Sequence, residues 1–122
     1  MKIERGWFYL ADLNPRRGTE PGKTRPVLVL QSDLLNRTGH PSTIVFPLTT
    51  RIVDDAEPLR VRVPAGTKGL IKRSDILIDQ IRAIDNRRLC DPDSGEPIKR
   101  LAPASVQLMR TVESCLKQVV DF

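Results

Sequence analysis

The chain has 122 residues, of which 39% are hydrophobic and 4% aromatic, which suits one domain with a modest core. Lysine and arginine outnumber aspartate and glutamate by 20 to 15, so the chain is basic and favours an anionic partner such as nucleic acid. Apolar runs are too short for a signal peptide or a membrane span, and one histidine with two distant cysteines, Cys90 and Cys115, argues against structural zinc. We therefore expect a single cytoplasmic domain over residues 1–122 with reduced thiols and no membrane association.

Short strands are predicted along the first two thirds of the chain. They cover residues 7–13, 26–32, 42–50 and 57–64, and residues 75–84 form either one bent strand or two short ones. Residues 33–39 read as one helical turn or a loop. Pro47 has no N–H to donate, so we expect the third strand to run at a sheet edge or to break there.

The end of the chain changes to a helical period. From Pro103 onward the apolar residues Val106, Met109, Val112, Leu116 and Val119 recur three and four positions apart, and Pro103 suits a first helical turn. The sequence thus predicts five or six strands followed by a C-terminal helix. This is a mainly β fold, a small barrel-like domain with the helix packed on it.

A basic, glycine-containing loop leads into the second strand in RRGTEPGKTRPVLVLQSD, residues 16–33. Pro26 holds Arg25 in an extended backbone, so its guanidinium has a rigid origin from which to bind a phosphate with paired hydrogen bonds. Arg16, Arg17 and Lys23 add positive charge beside it. In the ordinary alternative, Arg25 only starts a strand and pairs with Asp33 or Glu20.

Other polar residues gave weaker signals. Thr49 or Thr50 could present a hydroxyl to a cleft after Pro47, although both suit an ordinary strand. The segment DQIR puts Gln80 and Arg82 on one strand face and Asp79 on the other, where they could read bases or form a barrel rim. His40 reads as a loop residue, and at least two of Trp7, Phe8 and Tyr9 are expected in the core.

Several segments together resemble the MazF/PemK (Kid)-type toxins of bacterial toxin–antitoxin systems. They are RGWFYLADLNPRRGTEPGKTRPVLVLQSD at the N-terminal end, then IVFPLTT, SDILIDQIRAID and RRL, with a C-terminal helix to follow. The resemblance implies an SH3-like β-barrel that works as a homodimer with a MazE/PemI-type antitoxin. It also implies a metal-independent, sequence-specific endoribonuclease without cofactor, which cuts single-stranded RNA through the 2′-hydroxyl to leave 2′,3′-cyclic phosphate and 5′-hydroxyl ends.

The resemblance also assigns residues. The essential arginine falls on Arg25 and the catalytic threonine on Thr49, with Thr50 as the alternative. RNA contacts fall on the loop residue Glu20 and on Asp79 and Gln80. We add to the predicted RNA-binding set the neighbouring residues Arg16, Arg17, Thr19, Lys23 and Arg82.

Some positions depart from the family pattern. Trp7 stands where many members have an acidic residue, Pro21 where glutamine is common, and Ser32 where asparagine is usual. These lie near the substrate loop, so the RNA sequence that is cut stays open. Two other functions remain as alternatives: a non-enzymatic CcdB-like gyrase poison, and a nucleic-acid-binding barrel without catalysis.

Overall fold

The computed structural model describes residues 3–15, 18–19, 22–64, 67, 70 and 72–122. Within these residues the chain forms seven strands, two α-helices and two 3₁₀ turns. In chain order they are β1 (Trp7–Asp12), β2 (Thr24–Val29), α1 (Asp33–Arg37), β3 (Ser42–Thr49), β4 (Arg60–Arg62), β5 (Asp75–Leu77), a 3₁₀ turn (Ile78–Gln80), β6 (Arg82–Asp85), a second 3₁₀ turn (Asn86–Arg88), β7 (Arg100–Pro103) and α2 (Val106–Val120).

The strands form one curled antiparallel sheet in the order β4-β5-β3-β2-β1-β7, and β6 also pairs with β3. The first half of β3 pairs with β6 and its end pairs with β5. Pro47 lies between the part of β3 that pairs with β6 and the part that pairs with β5. On that side of β3 none of the described strands is paired with Pro47, so its missing N–H costs no ladder hydrogen bond there. The expectation of an edge strand is wrong. Strand β3 is central and continuous, and only the pairing on one side breaks at Pro47.

The two faces of the sheet bury separate hydrophobic clusters. Helix α2 covers one face, where its side chains pack on Phe8, Leu28, Phe46 and Ile76. The opposite face buries Tyr9, Ala11, Val27, Val29, Val45, Ile84 and Leu89. Side chains of successive strand residues point to opposite faces, so each inner strand contributes to both clusters. Phe8 and Tyr9 are core residues as expected, and the Arg100 guanidinium lies 3.5 Å from the ring centre of Trp7.

Helix α2 begins at Val106, three residues after the Pro103 start that its pattern predicted. Ser105 caps it, because its hydroxyl oxygen accepts a hydrogen bond from the Leu108 N–H at 3.0 Å. Pro103 is not in the first helical turn. It ends β7, a strand that the sequence did not predict, where it pairs with Trp7 of β1. Of the predicted apolar stripe, Met109 and Val112 are buried, Leu116 and Val119 are partly buried against the same cluster, and Val106 is exposed. Leu108 and Cys115, which the stripe did not include, complete the buried face of the helix.

Residues 75–84 form two short strands, which was one of the two forms expected. The 3₁₀ turn between them contains Asp79 and Gln80, so these residues do not alternate across strand faces with Arg82 as predicted. Strand β4 is also shorter than expected, since turns occupy residues 57–59. Residues 33–37 form the short helix α1, and Ser32 caps it.

Candidate active site

Arg25 lies at the start of β2, opposite Ala11 of β1. Its Nε donates a hydrogen bond to the Gly22 carbonyl at 2.7 Å, and its Nη1 donates one to the Leu48 carbonyl at 3.0 Å. The first bond ties the guanidinium to the loop before β2, and the second ties it to the end of β3. Both restrict the side chain, which is half-buried, so the charge has a defined position at this end of the sheet.

Thr49 ends β3 on the sheet face that carries Arg25. Val27 is paired with Pro47, and continuing this antiparallel register by two residues sets Arg25 against Thr49. The Thr49 hydroxyl oxygen accepts a hydrogen bond from the Arg51 N–H at 3.2 Å, and its side chain is half-buried. Thr50 follows the strand in an exposed bend. The sheet geometry therefore associates Thr49 with Arg25, and Thr50 lies outside the ladder.

The first 3₁₀ turn occupies the gap beside Pro47. It connects β5, whose first residue Asp75 pairs with Thr49, with the start of β6, where Arg82 pairs with Val45. Asp79 is exposed on this turn and Gln80 is half-buried. Arg82 lies directly opposite Val45, on the face that carries Thr49. Val45 and Thr49 are four residue steps apart along β3, which is about 13 Å. Polar groups thus continue from Arg25 and Thr49 along one side of β3.

The loop between β1 and β2 is described in part. Thr19 is exposed in a turn, and Lys23 is exposed with a φ of 65°, while its backbone N–H donates to the Asn14 side chain. Three of the predicted RNA-binding residues lie outside the described residues: Arg16, Arg17 and Glu20. Asp33, the alternative partner for Arg25, accepts hydrogen bonds from the Arg5 backbone and from Asn36.

A buried carboxylate, which the sequence reasoning missed, lies next to Thr49. Asp75 of β5 pairs with Thr49 in the ladder and is 1% exposed. It accepts hydrogen bonds from Arg62 Nε at 2.5 Å and from the Val53 N–H at 2.9 Å, and it forms an ion pair with Arg60 at 3.5 Å. Burial raises the pKa of Asp75, but the hydrogen bonds from Arg62 and Val53 lower it more, so the pKa lies below its usual value.

This acid organises the residues that follow Thr49. Arg60 also donates a hydrogen bond to the Arg51 carbonyl at 2.7 Å, so one arginine joins Asp75 to the segment after β3. Residues 53–57 of this segment line a cleft of ≈ 510 Å³ together with Arg60, Arg62 and Asp75. The LRVRV pattern alternates arginine with apolar residues, and Val61 and Val63 are buried. It gave no sign that both arginines turn toward one carboxylate from another strand.

Arg88 is a second residue to which the sequence reasoning gave no role. Its guanidinium reaches backbone carbonyls at the start of the β1–β2 loop. Among the residues that the structure describes, no three His, Cys, Asp or Glu side chains are grouped so that they could hold a metal ion. In the same part of the chain, no helix is long and apolar enough to cross a membrane.

A family model described as PemK-like, MazF-like toxin of type II toxin–antitoxin system matches residues 4–120. The chain belongs to this family. Endoribonuclease EndoA of Bacillus subtilis (strain 168) is 44% identical over 91 residues, which make up 75% of this chain and 78% of that protein. Both the family resemblance and the toxin–antitoxin class expected from the sequence are thereby confirmed.

Solved structures agree in fold. MazF (Form-I) from Deinococcus radiodurans has a TM-score of 0.76 at 25% identity, with 98% of this chain and 97% of that chain covered. A MazE-MazF structure (Form-III) from the same organism matches with a TM-score of 0.72 at 24% identity, over 98% and 97% of the two chains. The predicted mainly β fold with a C-terminal helix is confirmed, as a curled antiparallel sheet of the MazF type.

Proposed function

We propose that this member of the PemK/MazF-type endoribonuclease toxins cleaves single-stranded RNA by attack of the RNA's own 2′-hydroxyl, with Arg25 and Thr49 at the scissile phosphate. The observation that carries the proposal is the anchoring of Arg25 between the Gly22 and Leu48 carbonyls, beside the end of β3. Because the guanidinium is already held in place, it loses little conformational entropy when it binds a phosphate.

The reaction needs three things from the protein. The 2′-oxygen forms a bond to phosphorus while the bond to the 5′-oxygen breaks, so one proton must be removed, one delivered, and extra charge on the phosphate stabilised. Arg25 fits the third task first, because free arginine has a pKa above ~12 and rarely gives up its proton. Acid–base work by Arg25 comes second. The products carry 2′,3′-cyclic phosphate and 5′-hydroxyl ends.

Thr49 orients the phosphate in this proposal. Its hydroxyl oxygen accepts the Arg51 N–H, so the hydroxyl proton can donate to a phosphate oxygen. Its ladder pairing with Asp75 also limits how far the end of β3 can shift. Thr50 lacks both the ladder position and the shared face, which is the reason for preferring Thr49.

Recognition of the RNA strand involves the side of β3 that leads away from Thr49. Gln80 and Asp79 present an amide and a carboxylate, which can pair with base edges of an unstacked strand. Arg82 and Lys23 add positive charge suited to the phosphates, and Thr19, Arg16, Arg17 and Glu20 complete the proposed contact set from the loop before β2. No cofactor or metal ion takes part in this scheme.

The partners follow from the family and from charge. The net charge of +5 suits an RNA strand and also an antitoxin whose acidic or amphipathic segment occupies the same channel. We assign the chain a MazE/PemI-type antitoxin and a homodimeric working state in the cytoplasm. A solved relative was crystallised as a MazE-MazF complex, which supports this choice of partner.

The test uses purified protein and a long single-stranded RNA in excess EDTA. Discrete cuts with cyclic-phosphate ends are expected, and a 2′-deoxy sugar at the mapped cut position should abolish cleavage there. Cleavage that persists across the 2′-deoxy sugar would overturn the proposed nucleophile. A folded protein that leaves varied RNAs intact would overturn the enzymatic proposal and make DNA gyrase the next target to examine.

A further inference from the structure

We propose that Arg88 is a positioning residue that holds the base of the β1–β2 loop and, through one peptide unit, the guanidinium of Arg25. The inference rests on the proposed function of Arg25 and assigns a role to a residue of the RRL segment. Arg88 does not touch RNA in this proposal. It acts through the backbone of the loop.

Arg88 binds the first end of the loop through two backbone carbonyls. Its Nη1 donates to the Asp12 carbonyl at 3.0 Å and also to the Asn14 carbonyl. Both acceptors lie at the exit from β1. The two N–H groups of Nη1 lie in the guanidinium plane, so this one nitrogen can donate to both carbonyls, whereas a lysine ammonium at the same place is a point donor on a flexible stem.

Asn14 connects this end of the loop with the other. Its side-chain oxygen accepts a hydrogen bond from the Lys23 N–H at 2.7 Å, and the Leu13 N–H donates to the Lys23 carbonyl at 2.9 Å. Lys23 has a φ of 65°, in the left-handed region that a lysine seldom adopts, so these bonds stabilise an otherwise unfavourable backbone.

The same peptide unit reaches Arg25. The N–H of the Gly22–Lys23 peptide binds Asn14, and its carbonyl oxygen accepts the hydrogen bond from Arg25 Nε. Because a peptide unit is planar, the tilt that Asn14 imposes on the N–H also sets the direction of the carbonyl. Displacement of Asn14 would therefore rotate the acceptor that orients Arg25.

The backbone at Arg88 is held in place by the residues on either side of it. Arg88 ends the second 3₁₀ turn, and the next residue, Leu89, is fully buried in the cluster that Tyr9 and Val27 share. The preceding Asn86 is tied to His40 and Thr43 by side-chain hydrogen bonds. Arg87 offers a matched control, since it is adjacent, 79% exposed, and pairs with Asp85 two residues away.

The kinetic experiment compares Arg88→Ala with Arg87→Ala on a defined RNA. Misplacement of a catalytic group by about 1 Å can cost ~100-fold, so we expect kcat of Arg88→Ala to fall roughly 10- to 100-fold with KM within about twofold. Arg87→Ala should stay within about twofold of wild type. Equal rates for the two variants, or a loss confined to KM, would overturn the proposal.

Salt dependence separates positioning from direct RNA contact. Each phosphate contact to a single strand contributes about 0.7 to the slope of log affinity against log salt. Binding of an uncleavable 2′-deoxy substrate to Arg88→Ala should keep the wild-type slope. A slope reduced by one contact would place Arg88 on the RNA and refute the role assigned to it.

Amide hydrogen exchange tests the loop base without reference to activity. Arg88→Ala should accelerate exchange at the Lys23 and Leu13 amides at least about tenfold, and Arg87→Ala should not. If the wild type failed to cut RNA, the proposed function would fail while exchange still tested the loop contacts. If Arg88→Ala does not fold, Arg88→Lys and Asn14→Ala replace it, and either one with wild-type exchange and kcat would refute the proposal.

Discussion

Replacing Asp75 by asparagine is the sharpest test of how the end of β3 is held. The carboxylate is 1% exposed and receives the Arg62 Nε–H, the Val53 N–H and the charge of Arg60. Asparagine keeps the volume and one acceptor oxygen. It loses the negative charge, and its amide group must face a guanidinium. The change therefore removes the electrostatic part of the cluster and leaves the packing in place.

The expected loss of unfolding free energy depends on how deeply Asp75 and its two arginine partners are buried. Removal of one partner from a fully buried ion pair costs roughly 3–5 kcal/mol. Here the Arg60 and Arg62 side chains are 26% and 29% exposed, so water can partly compensate them. We expect Asp75→Asn to lower the free energy of unfolding by about 2 kcal/mol. For a domain of this size, that corresponds to a fall in Tm of roughly 8 °C.

The pH dependence has a defined sign. The folded-state pKa of Asp75 lies below the ordinary value of 3.8. Its contribution to stability is therefore complete well above pH 3.8 and is lost as the pH falls through the lower folded-state pKa. Urea unfolding between pH 7 and pH 2.5 should show a shallower acid loss for Asp75→Asn than for wild type, because the variant lacks this titration.

The matched control is Asp54→Asn, which removes the other carboxylate bound to Arg62. Asp54 is 81% exposed, so its loss should leave the urea midpoint unchanged within error. If Asp75→Asn were as stable as Asp54→Asn at pH 7, the reasoning from burial would be refuted. If Asp75→Asn lost stability between pH 7 and pH 2.5 as steeply as wild type does, the assignment of this titration to Asp75 would be refuted separately.

The remaining predictions concern the reaction and the thiols. Arg25→Ala should lower kcat at least about 1,000-fold. Circular dichroism should show that the variant is folded, because Arg25 is outside both hydrophobic clusters. A rate near wild type would remove Arg25 from the site. Thr49→Ala should lower kcat about 100-fold, whereas Thr49→Ser should retain most activity. Thr50→Ala should stay within about threefold of wild type. A larger loss of kcat in Thr50→Ala than in Thr49→Ala would transfer the role to Thr50. Burial and the contact with Glu57 raise the pKa of Cys115 to about 11, so a thiol reagent at pH 8 should react with the folded protein far more slowly than with the urea-unfolded protein; equal rates would show that the thiol is accessible.

Much of the fold was predictable because the hydrophobic periodicity of each segment agrees with its position in the folded protein. The strands near residues 7–13, 26–32 and 42–50 and the helix after residue 103 have clear periods, and the structure contains all four. Strand β7 was missed since RLAP shows no alternation, and only pairing with Trp7 and Phe8 makes it a strand. Pro47 was misjudged because one strand can change partners beside a proline, which no single-strand pattern reveals.

The site was predictable only where a motif or a backbone constraint marked it. Arg25 is marked by the following proline, and its rigid position at the start of β2 follows from that constraint. Asp75 and Arg88 have no such mark. Arg62 reaches Asp75 from another strand, and Arg88 binds carbonyls 76 and 74 positions away, so both arrangements arise only after the sheet has formed. Family knowledge supplied Thr49, since its sequence context also suited an ordinary strand.

The pairing of β1 with β7 has a consequence for synthesis of the protein. Strand β1 acquires its outer neighbour when residues 100–103 emerge, and the cluster around Phe8 is complete only when residues 108–115 of α2 have been added. The nascent chain therefore cannot complete its core until α2 has been synthesised. A ribosome-arrested chain that stops before Ser105 should show no RNA cleavage, whereas the released chain should. In a toxin that cuts RNA, this order of folding would protect the messenger RNA that encodes it from cleavage while it is being translated.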